Sequence, residues 1–346
     1  MIYFLAMREY LSGIRALLDT TGGRLAADVR PVAYERLLGR MTKDFWWRRA
    51  KESYWILARH GWSPRRREVP RALGSLAARL GRYASARWGL PIGTYIFAGL
   101  DRLPPEETRR AAFVWRILAE SHRGRCLLNH PTRSMRRYEL LRNLYERGIN
   151  AFNAYRVTEG RWPERYPVFL RHENDHEGPI TPLLMSRHEL LDAIRAFERT
   201  DDRREELLIV EFSDTADARG IYRKYGAFIV GDRIFPKSLQ FSRCWVQKSA
   251  DLRDPDLLRE EVQYVEHNPH EQMLRKIFAL ARIQYGRMDY VILDGRVQVW
   301  EINTNPTIVG GQAGPDARAA VRSLVLTRMV AAFETLSRRS ATPVLS

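Results

Sequence analysis

Tyr285-Gly286-Arg287-Met288-Asp289-Tyr290-Val291-Ile292-Leu293-Asp294-Gly295-Arg296-Val297-Gln298-Val299-Trp300-Glu301-Ile302-Asn303-Thr304-Asn305-Pro306 holds two β-branched, apolar-rich runs on either side of Asp294-Gly295. That arrangement is a hairpin signal. Side chains alternate faces along a strand, so Glu301 and Asn303 point the same way. Asp289 joins them only if the hairpin pairs it with Glu301. Their numbers have an even sum, so either the turn holds an odd number of residues or a bulge corrects the register. A three-residue Asp294-Gly295-Arg296 turn with Gly295 left-handed meets the condition.

Two carboxylates and an amide oxygen form a hard-oxygen set, suited to Mg²⁺ shared between protein and nucleotide phosphates. Arg287 precedes Asp289 by two residues, on the same face, and balances remaining phosphate charge. A hairpin that merely meets water needs no such order of acid, acid, amide and arginine.

This stretch resembles the metal-binding hairpin of the ATP-grasp superfamily, which includes D-alanine–D-alanine ligase and the ribosomal-protein glutamate ligases. The family pattern is an Arg-x-Asp strand, a turn, then Glu-x-Asn-x-x-Pro, and every position is present. The resemblance implies that Asp289, Glu301 and Asn303 hold one or two Mg²⁺ ions, or Mn²⁺ in their place, against the phosphates of ATP. It also implies that Arg287 steadies the transferring group or the acyl oxygen.

Further matches lie upstream. Arg136–Gly148 reads as an amphipathic helix with leucines at 140, 141 and 144. The family has a phosphate-binding basic residue eleven positions before the closing glycine, where Arg137 stands. Tyr166–Arg171 reads as a buried strand ending in a cation, and Arg171 takes the place of the basic residue that reaches the α- and β-phosphates. The following loop, His172-Glu173-Asn174-Asp175-His176-Glu177-Gly178-Pro179, departs from the family's glycine-rich lid, keeping only Gly178. Either His172 and His176 replace backbone donors there, or the lid grips ATP differently. Glu206–Phe212 reads as the interlobe strand, with Glu211, Phe212 and Ser213 matching the segment that reads the adenine edge. Asp214 and Asp217 are both candidates for the ribose. A second hairpin, 221–237, turns at Gly231-Asp232 and carries Lys224 and Lys237 as phosphate cations.

The lid also spells His-Glu-x-x-His, a zinc peptidase signature that requires a helix. Asn174 and Asp175 are weak helix formers, and Gly178-Pro179 follows at once. A loop is expected instead.

At 346 residues, 45% hydrophobic and 28% charged, the chain reads as globular with two or three lobes. No apolar run approaches the ~18 residues needed to span a bilayer. Met1–Met7 lacks a basic leader, so cytoplasm is the expected location. Cys126 and Cys244 sit in apolar settings and read as buried free thiols. The net charge of +16 raises the question of nucleic acid. However, only six of the 57 basic residues are lysine, and the arginines are dispersed along the whole chain. Such a bias argues against a nucleic-acid footprint.

The fold class expected is α+β: two ATP-grasp lobes holding ATP between them. Residues 1–90 are expected as a mainly helical N-terminal segment, with helices over Glu9–Leu18, Ala33–Gly39 and Asp44–Arg59. Residues 91–135 are expected as a reduced pre-grasp α/β domain, 136–206 as the N-lobe, and 207–346 as the C-lobe with a terminal helix. Asn268 and Pro269 read as the cap and first position of a helix that leads into the metal hairpin. The reaction implied is activation of a small carboxylate as an acyl phosphate, followed by attack of an amine or thiol. Alternatives are a kinase of the same fold that phosphorylates without ligating, and a non-catalytic ATP- or nucleic-acid-binding module.

Overall fold

Ile2–Ala6 (β1) is apolar and buried at every position, the pattern of a parallel strand covered on both faces. The computed structural model describes residues 1–34, 92–121, 125–200, 203–246, 252, 254–308 and 317–341. The chain divides into two compact units. One comprises Met1–Ala98, Leu103–Thr132 and Phe333–Ser346, and the other Gly99–Arg102 and Arg133–Ala332.

The first unit is a parallel sheet in the order β2-β1-β3-β4, with β2 at Val29–Ala33, β3 at Thr94–Phe97 and β4 at Cys126–Leu128. Parallel neighbours require crossovers. Helix α1 (Ser12–Thr20) follows β1, and α2 (Pro105–Ser121) connects β3 to β4. Strands at 2–6 and 29–33 were not expected, and residues 35–90, most of the segment expected to be helical, lie outside the described residues. Five consecutive apolar residues fit a buried strand, but periodicity alone cannot tell such a run from a buried helix segment. The helix expected over Glu9–Leu18 is α1, three residues later. Most of the helix expected over Ala33–Gly39 lies outside the described residues, as does the one expected over Asp44–Arg59. The final helix, α7 (Ala317–Ala341), is tied to this unit near its end. Ser337 Oγ donates to Asp28 Oδ1 at 2.8 Å, and Arg24 pairs with Glu334 at 2.9 Å.

The second unit has two antiparallel sheets. The smaller is ordered β5-β7-β6, from Ala154–Arg156, Leu207–Glu211 and Val168–His172. Helices α3 (Arg137–Glu146) and α4 (Arg187–Glu198) cover its faces. Leu207 and Ile209 pack with Leu190, Ile194 and Phe197 of α4, while Leu208 and Val210 pack with Leu141 of α3. Alternation with both faces buried explains why β7 reads as a continuous apolar run. Ser186 caps α4 by accepting from the Glu189 N–H at 3.2 Å, and the Glu189 carboxylate accepts in return from the Met185 N–H at 2.8 Å.

The larger sheet is ordered β11-β10-β8-β9, from Arg296–Asn303, Tyr285–Leu293, Tyr222–Val230 and Arg233–Ser242. Helices α5 (Pro255–His267) and α6 (Glu271–Ala281) belong with it. Tyr264 of α5 donates or accepts with the Tyr290 hydroxyl at 3.0 Å and reaches Gly226 O at 3.0 Å. Tyr290 points away from Asp289, its neighbour in the strand, so these helices cover the face opposite the acids. Asn268 is not the cap of α6. It ends α5 in the left-handed conformation, φ 49°, a role asparagine fills readily. His270 precedes α6 instead.

The hairpin turn is two residues long, with Asp294 at φ 51° and Gly295 at φ 74°, a type I′ turn. The other solution to the parity condition is therefore the one used. Tyr290 pairs with Val299 and Asp289 with Glu301, leaving Trp300 as the extra residue of a bulge. Trp300 packs on the cluster of Tyr138, Leu141, Phe152 and Val210. Both cysteines are free, but Cys126 is half-buried and Cys244 exposed, correcting the expectation of burial; Cys244 lies past the end of β9. No described helix is long and apolar enough to cross a membrane.

Candidate active site

Cross-strand pairing assembles one polar sheet face. Asp289 lies opposite Glu301 on one side and Gly226 on the other, and Arg287 lies opposite Asn303. Directly paired residues share a face, as do residues two apart. Lys224, Gly226, Arg287, Asp289, Glu301 and Asn303 therefore project together. Gly226 lies at the centre of this face, where a Cβ would make ordinary contacts with Ser238 Oγ at 3.4 Å and with Arg287 Cδ and Lys237 Cβ at 3.8 Å. Gly286 allows close approach at the strand ends, because a Cβ would fall 2.8 Å from Asn303 O.

Lys237 reaches this face through a second bulge. Gly226 pairs with Ser238 and Ala227 with Pro236, so Lys237 is the extra residue. Its Nζ donates to Thr307 O at 2.8 Å and lies 5.6 Å from the Phe228 ring centroid. Proline is tolerated at such a bulge, where a ladder bond is already missing.

The acids are enclosed by cations. Arg287 grips Asp289 through Nε–Oδ1 at 2.6 Å and Nη2–Oδ2 at 2.9 Å. Glu301 receives Arg137, with Arg171 Nη2 at 3.7 Å and His176 Nδ1 at 3.5 Å. Burial favours the neutral acid at Glu301, but Arg137, His176 and Arg171 hold its pKa well below the usual carboxylate range. For His176 burial also opposes charge, yet Asp101 and Glu301 raise the pKa to about 9. Burial, then Arg137, pushes Arg171 down to about 9. Burial pushes Lys224 down, and burial with Arg287 and Lys224 pushes Lys237 down to about 7. Cations outnumber carboxylates here, and a shielded excess of positive charge favours a polyanion.

The lid expected over 172–179 is a loop. Arg171 bridges Pro179, and the Ile180 N–H donates to Leu170 O at 2.7 Å, so the chain returns antiparallel to β6. No helix spans 172–176, and no group of three or more His, Cys, Asp and Glu among the described residues could hold a metal. The peptidase geometry is absent there. Arg137 Nη1 gathers the carbonyls of His172, Glu173 and Asp175 at 3.0, 2.7 and 2.8 Å. Its guanidinium thus links the lid backbone to Glu301. The His172 ring lies edge-on to Phe197, 5.5 Å away, so of the two lid histidines His176 is the one beside the acids. Gly178 has φ 99°, which a side chain would resist.

At the end of β7, Glu211 is buried and its carboxylate accepts from Asn153 N–H and Tyr155 hydroxyl at 3.0 Å, and from Arg165. Backbone N–H groups of Glu211 and Phe212 bond Asn153 O and Pro167 O. Ser213 follows directly. Phe212 and Phe169 both flank Trp245, at 5.5 and 5.1 Å between centroids. Asp217 pairs with Arg223 at 2.8 Å, whereas Asp214 accepts from Ala216 N–H and Tyr222.

Three residues were missed by sequence reading: Asp101, Thr304 and Trp245. Asp101 follows β3 of a parallel sheet, and the carboxyl end of such a strand was the available signal. Trp245 and Thr304 offered none, since their partners are distant in sequence.

The donor chemistry suits Mg²⁺. Two carboxylates and the Asn303 amide oxygen, held in place by the Asn305 N–H at 2.7 Å, present hard oxygens from two adjacent strands.

Neither a protein-family model nor a curated protein matches the sequence. Solved structures do match. D-alanine–D-alanine ligase from Bacillus anthracis, complexed with ATP, is 11% identical, with 97% of this chain and 98% of that chain covered and a TM-score of 0.45. An L-amino acid ligase from Bacillus licheniformis is 13% identical over 70% of this chain and 65% of that chain, TM-score 0.34. The D-alanine–D-alanine ligase of Coxiella burnetii is 14% identical over 67% and 66%, TM-score 0.41. These are ATP-grasp enzymes. At such identities and scores the overlap by itself carries no functional argument.

Proposed function

We propose that the chain is an ATP- and Mg²⁺-dependent ligase of the ATP-grasp type, joining a small carboxylate to an amine or thiol through an acyl phosphate. One observation carries the reading: Asp289 faces Glu301 in register, with Asn303 two residues on, inside a shell of excess cations. Asp289, Glu301 and Asn303 would hold the metal. Bound there, Mg²⁺ neutralises phosphate charge and polarises the transferring group. Arg171, Lys224 and Lys237 would neutralise the remaining phosphate oxygens, and Arg287 would steady the charge that develops at the reacting oxygens. His176 and Gly178 would close the lid, and Arg137 would fix the lid's carbonyls. With the N–H groups of Glu211 and Phe212 engaged within the lobe, the adenine edge would meet Ser213 and the strand's carbonyls, beside Trp245.

The test is ADP release by the purified protein across a panel of amino acids and small carboxylic acids, with Mg²⁺ or Mn²⁺. Glu301→Gln should lower turnover by on the order of a hundredfold and abolish the bound-Mn²⁺ resonance signal that the wild-type chain should give with ADP. Asn303→Ala should weaken that signal. Unchanged ADP release and Mn²⁺ binding in Glu301→Gln would refute the metal assignment.

A further inference from the structure

Asp101 belongs to no part of the ATP and metal machinery proposed above, yet three separate stretches of chain meet at its carboxylate. It sits in the short turn Leu100–Arg102 that follows β3. Its Oδ2 accepts from His176 Nε2 at 2.9 Å. Its Oδ1 accepts from Thr304 Oγ1 at 2.9 Å, and that hydroxyl accepts in turn from the Leu100 N–H at 3.0 Å. Thr304 directly follows Asn303, so the turn is locked to the end of β11 in both directions. Only 15% of the Asp101 side chain is exposed.

The lid needs such a contact. Its first residues are held by Arg137 and its last by the bridge at Pro179. Between them, His176 is the lid side chain that spans from Asp101 to Glu301, with Nδ1 3.5 Å from Glu301 Oε1. The Nε2 bond to Asp101 sets the direction of the ring, while Nδ1 faces Glu301 without a hydrogen bond. We propose that Asp101 is a positioning residue: by holding His176 Nε2 it fixes the middle of the lid over Glu301, so that nucleotide meets an already ordered lid. A loop ordered before binding leaves less ordering for the ligand to supply, and affinity rises accordingly.

The inference rests on the proposed nucleotide site for its consequence, but not for the lid contact itself, and two measurements separate them. In nucleotide-free protein, Asp101→Asn should speed amide exchange of the 172–179 peptide about tenfold, with little change in peptides of β7 or β10. In calorimetric titration with a non-hydrolysable ATP analogue and Mg²⁺, Asp101→Asn and His176→Ala should each weaken binding about tenfold. The double variant should be no weaker than His176→Ala alone, because both act through one contact. A purely structural role for Asp101 would instead make the two losses multiply. Asp101→Glu, which keeps the charge, should restore part of the lid protection and stands in if the asparagine variant fails to fold. Wild-type lid exchange in both Asp101 variants would overturn the inference whether or not nucleotide binds. Failure of wild-type protein to bind the analogue would defeat the proposed function and leave the lid result to decide Asp101.

Discussion

Lys237 shows how one residue's chemistry depends on a local irregularity. Without the bulge in β9 it would point away from Ser238's face; with it, the ammonium is pressed among Arg287, Lys224 and low-dielectric neighbours. Burial is the largest cause, and the pKa falls to about 7 from the ordinary lysine value near 10.4. The folded chain therefore binds fewer protons at this site than the unfolded chain between those two values. Stability from this group rises with pH across that window and is lost as pH falls through about 7. His176 runs the other way: its raised value of about 9 gives a contribution complete below ~6.5 and lost as pH rises through about 9. A triphosphate placed beside Lys237 must favour its charged form. Nucleotide binding at pH 8 should then take up close to one proton, measured by calorimetry in buffers of different ionisation enthalpy, and almost none at pH 6. Lys237→Met should remove the uptake. Proton-neutral binding at pH 8 by the wild-type chain would contradict the placement. Lys224 and Lys237 were picked out by their place on the 221–237 hairpin, and both strands of that hairpin are present. The use of Arg137 was not legible in the sequence, because a guanidinium fork serves carbonyls as readily as phosphate, and spacing cannot distinguish them.

At the scale of elements, the β10–β11 hairpin was the most legible part of the chain, and its limits are instructive. Alternation located both strands, and parity required either an odd turn or a bulge. The choice between them was settled by Trp300, whose burial against α3 and β7 rewards an extra residue in β11. That contact is distant in sequence and invisible to a local pattern. The same cause hid β1, one of whose sheet neighbours, β3, lies far along the chain, whereas β2 pairs with β1 alone. It also hid α5, although Asp254 and Pro255 carry an ordinary start signal. Strand spacing at the hairpin's open end depends on Gly286. A Cβ there would sit 2.8 Å from Asn303 O and 3.3 Å from Ile302 Cγ2, both in the partner strand. The neighbour is backbone and can yield only by moving β11, which carries Asn303. Gly286→Ala should therefore destabilise by about 1–3 kcal/mol in urea unfolding. It should also weaken Mn²⁺ binding in the presence of ADP. A variant with wild-type midpoint and metal affinity would show that the strand ends have more freedom than the pairing implies.

For the whole molecule, the question is what a net charge of +16 does. Many described arginines are committed within the chain. Arg109 and Arg110 pair with Glu106, Arg142 with Glu146, Arg223 with Asp217 and Glu260, and Arg275 with Glu271. Others cap backbone, as Arg328 does at Val265 and Glu266. Exposed pairs of this kind stabilise little, on the order of 0–1 kcal/mol each, but they neutralise the surface locally and keep it from acting as a continuous basic track. Among the described residues, the cations concentrated around Glu301 and Asp289 suit a small polyanion rather than a helix of phosphates. Diffuse charge of this sort attracts nucleic acid through counterion release alone, with affinity that falls steeply with salt. Mixed-sequence DNA and RNA should therefore bind weakly at ~20 mM salt and be released by ~150 mM, well outside the Debye range of scattered charges. ATP held inside the cation shell should keep most of its affinity over the same range, because buried pairs are screened far less. Parallel titrations of a fluorescent duplex and a fluorescent ATP analogue, each across the salt series, test both halves at once. Duplex binding that survives physiological salt, or analogue binding that collapses along with it, would place the chain's excess charge in the service of nucleic acid.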